Sequence, residues 1–521
     1  MGAALSGYPE DMTDTTREVE RTYVFPDSPG GATGGPPALP DLTGVPGVAE
    51  ARAEGTVGLD AVYHDTADLR LAAGHVTLRR REGGHDAGWH LKFPVAPGVR
   101  DELHAPLSAE LPDELARLVR SRTRGADLAP VVRLVTSRTV TRLLGKGGTP
   151  LVELAVDDVR AERLGGRLTV TSWMEAEAEL APGADPDILR RVDKRLRGAG
   201  LIPARSPSKL ARALAETGPP VPPREDGPPP RTAGDHLLAH LREQAEALQT
   251  LDPAVRRGQP DSVHQLRVAA RRLRSVLRVY GSVLDRGATR PVEAELRRLG
   301  AALGADRDTE VLTGHLRERI DALPAPLLLG PVEARLRLWS VARGAHARDL
   351  TLTTLDDRRH TALLDALAAL LADPPLRGAA AKPPRKALPK ALAKEYRGLA
   401  RRVDRALALP PGEERDLALH SARKAAKRVR YAAQAAVPGI GRPAARFAKR
   451  VKKVQRLLGE HQDAVVARAA VRELAVQAHA AGEPSFTWGL LHADEDARAR
   501  ACERELPRVW REVAKRGAPA G

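Results

Sequence analysis

The sequence predicts a multidomain α+β protein, with an antiparallel β barrel in its first part and an internally duplicated all-α bundle in its second. Three observations lead there. Short runs before residue 217 alternate apolar and polar residues with period two, as half-buried strands do. After residue 232, alanine, leucine and arginine recur at helical spacing. Between them, TGPPVPPREDGPPPRT (217–232) holds seven prolines, which exclude a helix interior or a central strand. The division expected is a first domain at 16–215, a linker at 216–231 and a second domain at 232–515, with repeats at about 232–370 and 390–515.

Taken in order, the strand runs are EVERTYV near residue 18, HVTLRRR near 75, WHLKFPV near 89, LVELAVDDV near 151 and LTVTSWMEAEAEL near 168. The Pro/Gly-rich stretch at 26–48 and DPPLRGAAAKPPRKALP (373–389) read as loops. Strand parity sends Glu18, Glu20 and Thr22 to one face, and Glu175, Glu177 and Glu179 to a common face. Arg79 and Arg81 share a face; Lys92, Arg138 and Arg142 lie on neighbouring runs. Charges that alternate on strands with a buried side are costly unless they meet opposite charges, ions or water. A closed barrel with a wet lumen meets that need, its carboxylates holding a divalent metal and its Arg and Lys side chains holding phosphate oxygens.

Charge is divided unevenly. Residues 1–220 carry 28 Lys+Arg and 31 Asp+Glu, a net of −3, whereas the remainder carries 55 and 36, a net of +19. A basic half attracts polyanions by counterion release. Aromatic residues make up only 3% of the chain, which disfavours nucleic acid gripped by base stacking and suits a polyanion without bases. One cysteine, Cys502, excludes an intramolecular disulfide and a thiolate cluster. No basic-then-apolar leader opens the chain and no run of about eighteen apolar residues occurs, so the expectation is a soluble, cytoplasmic protein with no membrane partner. The oligomeric state is left open.

The helical half repeats itself. His264, Arg267, Arg271 and Arg274 correspond to His420, Arg423, Lys427 and Arg430 at an offset of 156, and Arg297, Arg298, Leu303, Gly304 and Asp308 to Lys452, Lys453, Leu458, Gly459 and Asp463 at 155. On a helix, His264, Arg267, Arg271, Arg274 and Arg278 form one stripe, and Val263, Leu266, Ala270, Leu273, Leu277 and Tyr280 another. Like charges at intervals of three and four repel unless an anion lies across them, and arginine suits bidentate contact with phosphate.

VHQLRVAARRLRSVLR with LGADRDTEVL, and LHSARKAAKRVRYAA with LLGEHQDAVVA, resemble the CHAD domain, the conserved-histidine α-helical domain. The resemblance implies a pseudo-twofold bundle whose basic surface binds inorganic polyphosphate through His264, Arg267, Arg271, Arg274, Arg278, Arg297, Arg298, His420, Arg423, Lys427, Arg430, Lys452 and Lys453. In the first half, EVERT, YHDTADLRLAAGHVTLRRRE, WHLKFP, GVRDEL, LVELAVDDVRA, WMEAEAEL and SPSKLARAL resemble the CYTH family, the triphosphate tunnel metalloenzymes. That resemblance implies an eight-stranded antiparallel tunnel hydrolysing inorganic triphosphate or a short polyphosphate with Mg²⁺ or Mn²⁺. By position, Glu18, Glu20, Glu175 and Glu177, with Glu153 and Asp157, would be metal ligands. Arg79, Arg81, Lys92, Arg138, Arg142 and Lys209 would bind substrate, and Glu18, Glu20 and Lys92 form the expected catalytic set.

One departure is Thr22, a neutral hydroxyl where the family's Glu-x-Glu-x-Lys pattern has lysine. The alternatives are therefore a polyphosphate-binding or targeting protein with weak or no turnover, then a thiamine triphosphatase, an adenylate cyclase or a nucleic-acid binder. The paired resemblances also imply association with polyphosphate granules.

Overall fold

The computed structural model describes residues 15–26, 39–165, 169–218, 229–515 and 517–519, with the side chains of 305–308, Asp308 among them, outside that description. The chain divides into two compact units, Met1–Asp226 and Gly227–Gly521. Most of the proline-rich linker, residues 219–228, lies outside the described residues, as does 27–38 of the expected 26–48 loop.

The first unit contains β1 (Thr15–Val24), β2 (Glu50–Asp65), α1 (Arg70–Ala73), β3 (Thr77–Glu82), β4 (Gly88–Ala96) and β5 (Val99–Pro106). It continues with α2 (Asp113–Thr123), β6 (Ala129–Leu144), β7 (Pro150–Arg163), β8 (Val170–Leu180), α3 (Asp187–Gly198), β9 (Ile202–Pro203) and α4 (Lys209–Thr217). The strand order is β5-β4-β3-β2-β6-β7-β8-β1, and β1 pairs back onto β5, so eight antiparallel strands close into a ring. The two-residue β9 adds only a short ladder beside β1. β1 serves as the closing strand by dividing its length: Thr15–Val19 pair with β5 and Glu20–Val24 with β8.

Closure gives the barrel an inside and an outside with different chemistry. On the outside, α2 covers Leu78, Leu91 and Leu103, while α3 covers Tyr23, Leu154 and Ala178. Leu42, Val45 and Val48, from the described end of the expected loop, bury in that second cluster. On the inside, Asp157 and Arg138 share their strand faces with apolar residues toward one end: Val159 and Ala161 on β7, Leu134 and Val132 on β6. Trp173 and Tyr63 join them, and α4 packs Leu210, Ala213 and Leu214 against the cluster. The lumen is thus a charged cavity with an apolar floor sealed by α4.

The second unit is helical: α5 (Ala233–Arg256), α6 (Ser262–Val279), α7 (Arg286–Asp321), α8 (Val332–Asp356), α9 (Arg358–Ala372), α10 (Pro384–Ala408), α11 (Glu413–Ala435), α12 (Val437–Ile440), α13 (Arg442–Ala480) and α14 (Phe486–Ala514). The repeat is visible in the lengths, 24, 18, 36 and 25 residues for α5 to α8 against 25, 23, 39 and 29 for α10, α11, α13 and α14. Thr232 starts the bundle with a reciprocal capping box to Asp235. The loop expected at 373–389 is shorter than read, because α10 begins at Pro384, and proline in a first turn gives up an N–H that has no helical partner there anyway. α6 and α11 bury Leu266, Leu273, Leu277, Ala422, Ala426 and Val429 in one core. Among the described residues no helix is long and apolar enough to cross a membrane.

Candidate functional site

The barrel holds a cavity of about 900 Å³, lined by both signs of charge. Glu18, Glu20, Thr22, Arg79, Arg81, Lys92, Arg138, Arg142, Glu153 and Glu177 reach it from the inner faces of their strands, and Lys209 reaches it from the start of α4. Cross-strand register orders them in layers. Glu20 faces Glu179, which faces Glu153, which faces Arg142; one step deeper Thr22 faces Glu177; deeper again Glu175 faces Asp157, which faces Arg138. Arg21 has the opposite parity and pairs with Asp193 at 3.0 Å, so it does not replace the lysine absent at Thr22.

The layers differ in how their charge is balanced. Across the two deeper layers, oxygens of Asp157, Glu175 and Glu177 lie within 4.8 Å of one another. Lys209 Nζ stands among them, 3.0 Å from Asp157 and 2.9 Å from Glu175, and donates to Glu177. Arg138 donates to Asp157 at 2.8 and 2.7 Å and to Glu177 at 2.6 Å. Burial opposes ionisation of Glu177, but Lys209 and Arg138 overcome it and hold the carboxyl well below the usual range. Glu175 and Asp157, expected as metal ligands, therefore sit below the cavity surface with cations already between them.

The outer acidic layer is different. Burial pushes Glu179 up to about 7; Lys92 works against this, but Glu20, Glu177 and Glu153 reinforce it. No cation lies within ion-pair distance of Glu179 among the described residues. A group of carboxylates short of positive charge, all offering hard oxygen donors, fits a divalent cation of the Mg²⁺ or Mn²⁺ type. Glu20 pairs with Arg100 at 3.2 Å and Glu153 with Arg142 at 3.6 Å, which leaves both partly committed.

Opposite this layer, Lys92 Nζ donates to both oxygens of Glu18 at 2.7 Å and lies 3.5 Å from Glu102. Burial pushes Glu18 up to about 8 in spite of Lys92, with Glu102 adding to the rise. Glu102 keeps its charge: burial resists, but His90, 2.8 Å away, and Lys92 hold it well below the ordinary range. Arg79 donates to the Tyr63 hydroxyl at 3.3 Å and lies 3.9 Å from Glu102. Sequence reasoning missed Glu54, Tyr63, Arg100 and Glu102 as lining residues, and carried Glu179 no further than its shared face. Parity carried one step along β5 would have found Arg100 and Glu102 on one side of GVRDEL.

In the helical unit the two stripes meet. His264, Arg267, Arg271 and Arg274 on α6 are half-buried, as are His420, Arg423, Lys427 and Arg430 on α11. Lys427 is pushed down to about 7 by burial first, then by Arg423, Arg271 and Arg267. His420 is lowered by burial, then by Lys424, and contacts Gln462. Three members stand apart from this seam. Arg278 is exposed and pairs with Glu293 at 3.4 Å; Arg298 pairs with Glu295 at 3.0 Å and Asp357 at 3.4 Å; Lys453 is exposed, 3.9 Å from Glu512. Arg297 and Lys452 are exposed on α7 and α13. Asp416, His461 and Glu503 also converge, but Arg468 and Arg415 neutralise the carboxylates at 2.9 and 3.1 Å, so they form an ion-pair lock between α11, α13 and α14.

Residues 40–200 match the CYTH domain and residues 239–472 the CHAD domain. An uncharacterized protein of Mycobacterium tuberculosis is 37% identical over 516 residues, 96% of each chain. The CHAD domain of the plant Ricinus communis is 27% identical, covering 53% of this chain and 93% of its own, with a TM-score of 0.40. A candidate adenylyl cyclase from Hippeastrum with a dominant triphosphatase activity is 18% identical, covering 40% of this chain and 98% of its own, with a TM-score of 0.21.

Proposed function

The chain belongs to the family of proteins that join a CYTH domain to a CHAD domain, and on that premise we propose that its barrel hydrolyses inorganic triphosphate or short polyphosphate while its helical unit binds polyphosphate. The observation that carries the reading is the pairing, in one dead-ended cavity, of a cation-deficient carboxylate layer with a set of guanidinium and ammonium groups. Tyr63 and His85 are the aromatic side chains among the described lining residues, and the Tyr63 hydroxyl accepts from Arg79. The rest of that lining is rich in charged groups and holds no Trp or Phe, which suits an inorganic polyanion better than a nucleotide.

Glu20 and Glu179, supported by Glu18 and Glu153, would hold the divalent cation. The chemistry such a group would supply there is neutralisation of phosphate charge and an activated water for in-line attack on the terminal phosphorus. Arg79, Arg81, Lys92 and Arg138 face the same space and would neutralise the remaining phosphate oxygens, arginine doing so in bidentate fashion. Lys209 holds Glu177 and Glu175 in place beneath them. The apolar floor excludes water from the closed end, which strengthens every charge interaction above it.

The test is phosphate release from tripolyphosphate, thiamine triphosphate and ATP, with Mg²⁺ or Mn²⁺, comparing wild type with Glu18→Ala and Glu179→Gln. Metal-dependent release from tripolyphosphate that both substitutions abolish is expected. Equal background release from all three proteins would remove the hydrolase reading and leave the second one, a polyphosphate binder without turnover, which Thr22 opposite Glu177 favours. For the helical unit, Arg267→Ala, Arg271→Ala and Arg274→Ala together should weaken long-chain polyphosphate binding at least about tenfold, since charge-assisted hydrogen bonds are being removed. Release from tripolyphosphate by the same full-length variant should persist.

A further inference from the structure

Arg81 lines the barrel cavity, but its guanidinium is already engaged. It pairs with the carboxylate of Asp86, and the two side chains are 7% and 47% exposed. Asp86 belongs to the turn between β3 and β4, and Gly84, His85 and Asp86 all line the same cavity. The turn is firmly built. Gly83 and Gly84 have φ of 80° and 73°, a conformation that favours glycine. A Cβ at Gly83 would stand 2.3 Å from the Gly58 carbonyl oxygen, so the turn sits tight against β2. Its far end is set by His90, a buried side chain whose Nε2 lies 2.9 Å from the Asp86 carbonyl and whose Nδ1 lies 2.8 Å from Glu102.

The carboxylate is therefore delivered to Arg81 by a turn fixed from two sides, in the wall of a cavity whose other cations are likewise paired with protein carboxylates. Burial, followed by repulsion from Arg79, lowers Arg81 to about 9, so this guanidinium gains more from an adjacent anion than an exposed one would. A phosphate group entering the cavity and Asp86 would compete for the same donors.

Building on the reading of the cavity as a triphosphate or polyphosphate site, we propose that Asp86 is an affinity-setting residue: an internal anion that fills the Arg81 subsite and is displaced by a phosphate group of the incoming substrate. Because the carboxylate is tethered, it competes at high effective concentration and weakens every ligand that needs Arg81. Binding then exchanges one anion for another at a buried cation, so Arg81 is not left bare when the cavity empties.

The experiment is calorimetric titration of the full-length chain with inorganic tripolyphosphate, for wild type, Asp86→Asn, Arg81→Gln and the double variant. Asp86→Asn should lower Kd about tenfold, the scale of one charge-assisted contact no longer contested. In the Arg81→Gln background the same change should have little effect. Asp86→Ser, shorter and also neutral, should act in the same direction, which guards against a peculiarity of the amide. An unchanged or raised Kd in both Asp86 variants would overturn the proposal and make Asp86 a residue that orients Arg81. An equal gain in the Arg81→Gln background would also overturn it, reducing the effect to a general field. Absence of tripolyphosphate binding in all the proteins would instead refute the reading of the cavity on which the proposal rests.

Discussion

Replacing Lys427 by arginine should flatten the pH dependence of polyphosphate binding, and the size of the effect follows from the seam between α6 and α11. Burial, then Arg423, Arg271 and Arg267, lower the Lys427 ammonium to about 7, and Asp463 only partly offsets them. Near neutrality about half the molecules therefore carry a neutral amine there. A bound polyanion reverses the cause of the shift by supplying negative charge, so the bound state has the higher pKa. The sign follows: affinity is complete below about pH 7 and falls as pH rises through the free-state value. If bound phosphate restores an ordinary lysine pKa, one proton links to binding; Kd then rises roughly 50-fold between pH 7 and 9, and about 0.9 proton is taken up per site at pH 8. His420 is also lowered, by burial first and then by Lys424. The assay is fluorescence anisotropy of labelled long-chain polyphosphate at constant ionic strength, with proton uptake read from the buffer dependence of the binding heat. Arginine keeps its charge throughout, so Lys427→Arg should bind with nearly constant Kd over the same range. A wild-type affinity that does not change between pH 7 and 9, or a slope that Lys427→Arg retains, would refute the reasoning.

Two further outcomes are expected. Thr22→Lys places an ammonium in the layer of Glu177, where the family pattern has one, and should raise kcat/KM for tripolyphosphate by about tenfold, a modest share of what one preorganised donor supplies; a fall would show that Lys209 already meets that need. Tyr280→Phe removes the hydrogen bond from the Tyr280 hydroxyl to the Ala432 carbonyl, 2.7 Å across the two repeats, and should cost about 1 kcal/mol in urea unfolding while sparing tripolyphosphate hydrolysis.

Much of the inner wall could be read directly because a strand's side chains alternate strictly. Once Glu18 faces inward, Glu20 and Thr22 must as well, and the same rule carries Arg79 to Arg81 and Glu175 to Glu179. The helical stripes were legible for a similar reason: spacing of three and four residues fixes a face before any partner is known. β2 was harder to see, since its first seven residues are exposed and offer no alternation, and a register shift between Ala53 and Gly55 breaks its period.

By itself, then, the sequence determined which residues share a face, where strands give way to helices and that the helical half is duplicated, because periodicity, a proline-rich break and a repeated motif are all written along the chain without reference to any contact. Only the tertiary structure decided which charges meet. Closure of β1 onto β5, the seating of α4 in the barrel floor and the delivery of Asp86 to Arg81 depend on ring register, on a helix returning from beyond β8 and on the seating of a glycine turn. Ring register and the return of α4 put Lys209 among Asp157, Glu175 and Glu177 and left Glu179 with no cation at ion-pair distance among the described residues. Two acidic layers with the same local pattern thereby acquired different electrostatics, since strand alternation sets which way a carboxylate points and only the folded barrel supplies its counter-charge.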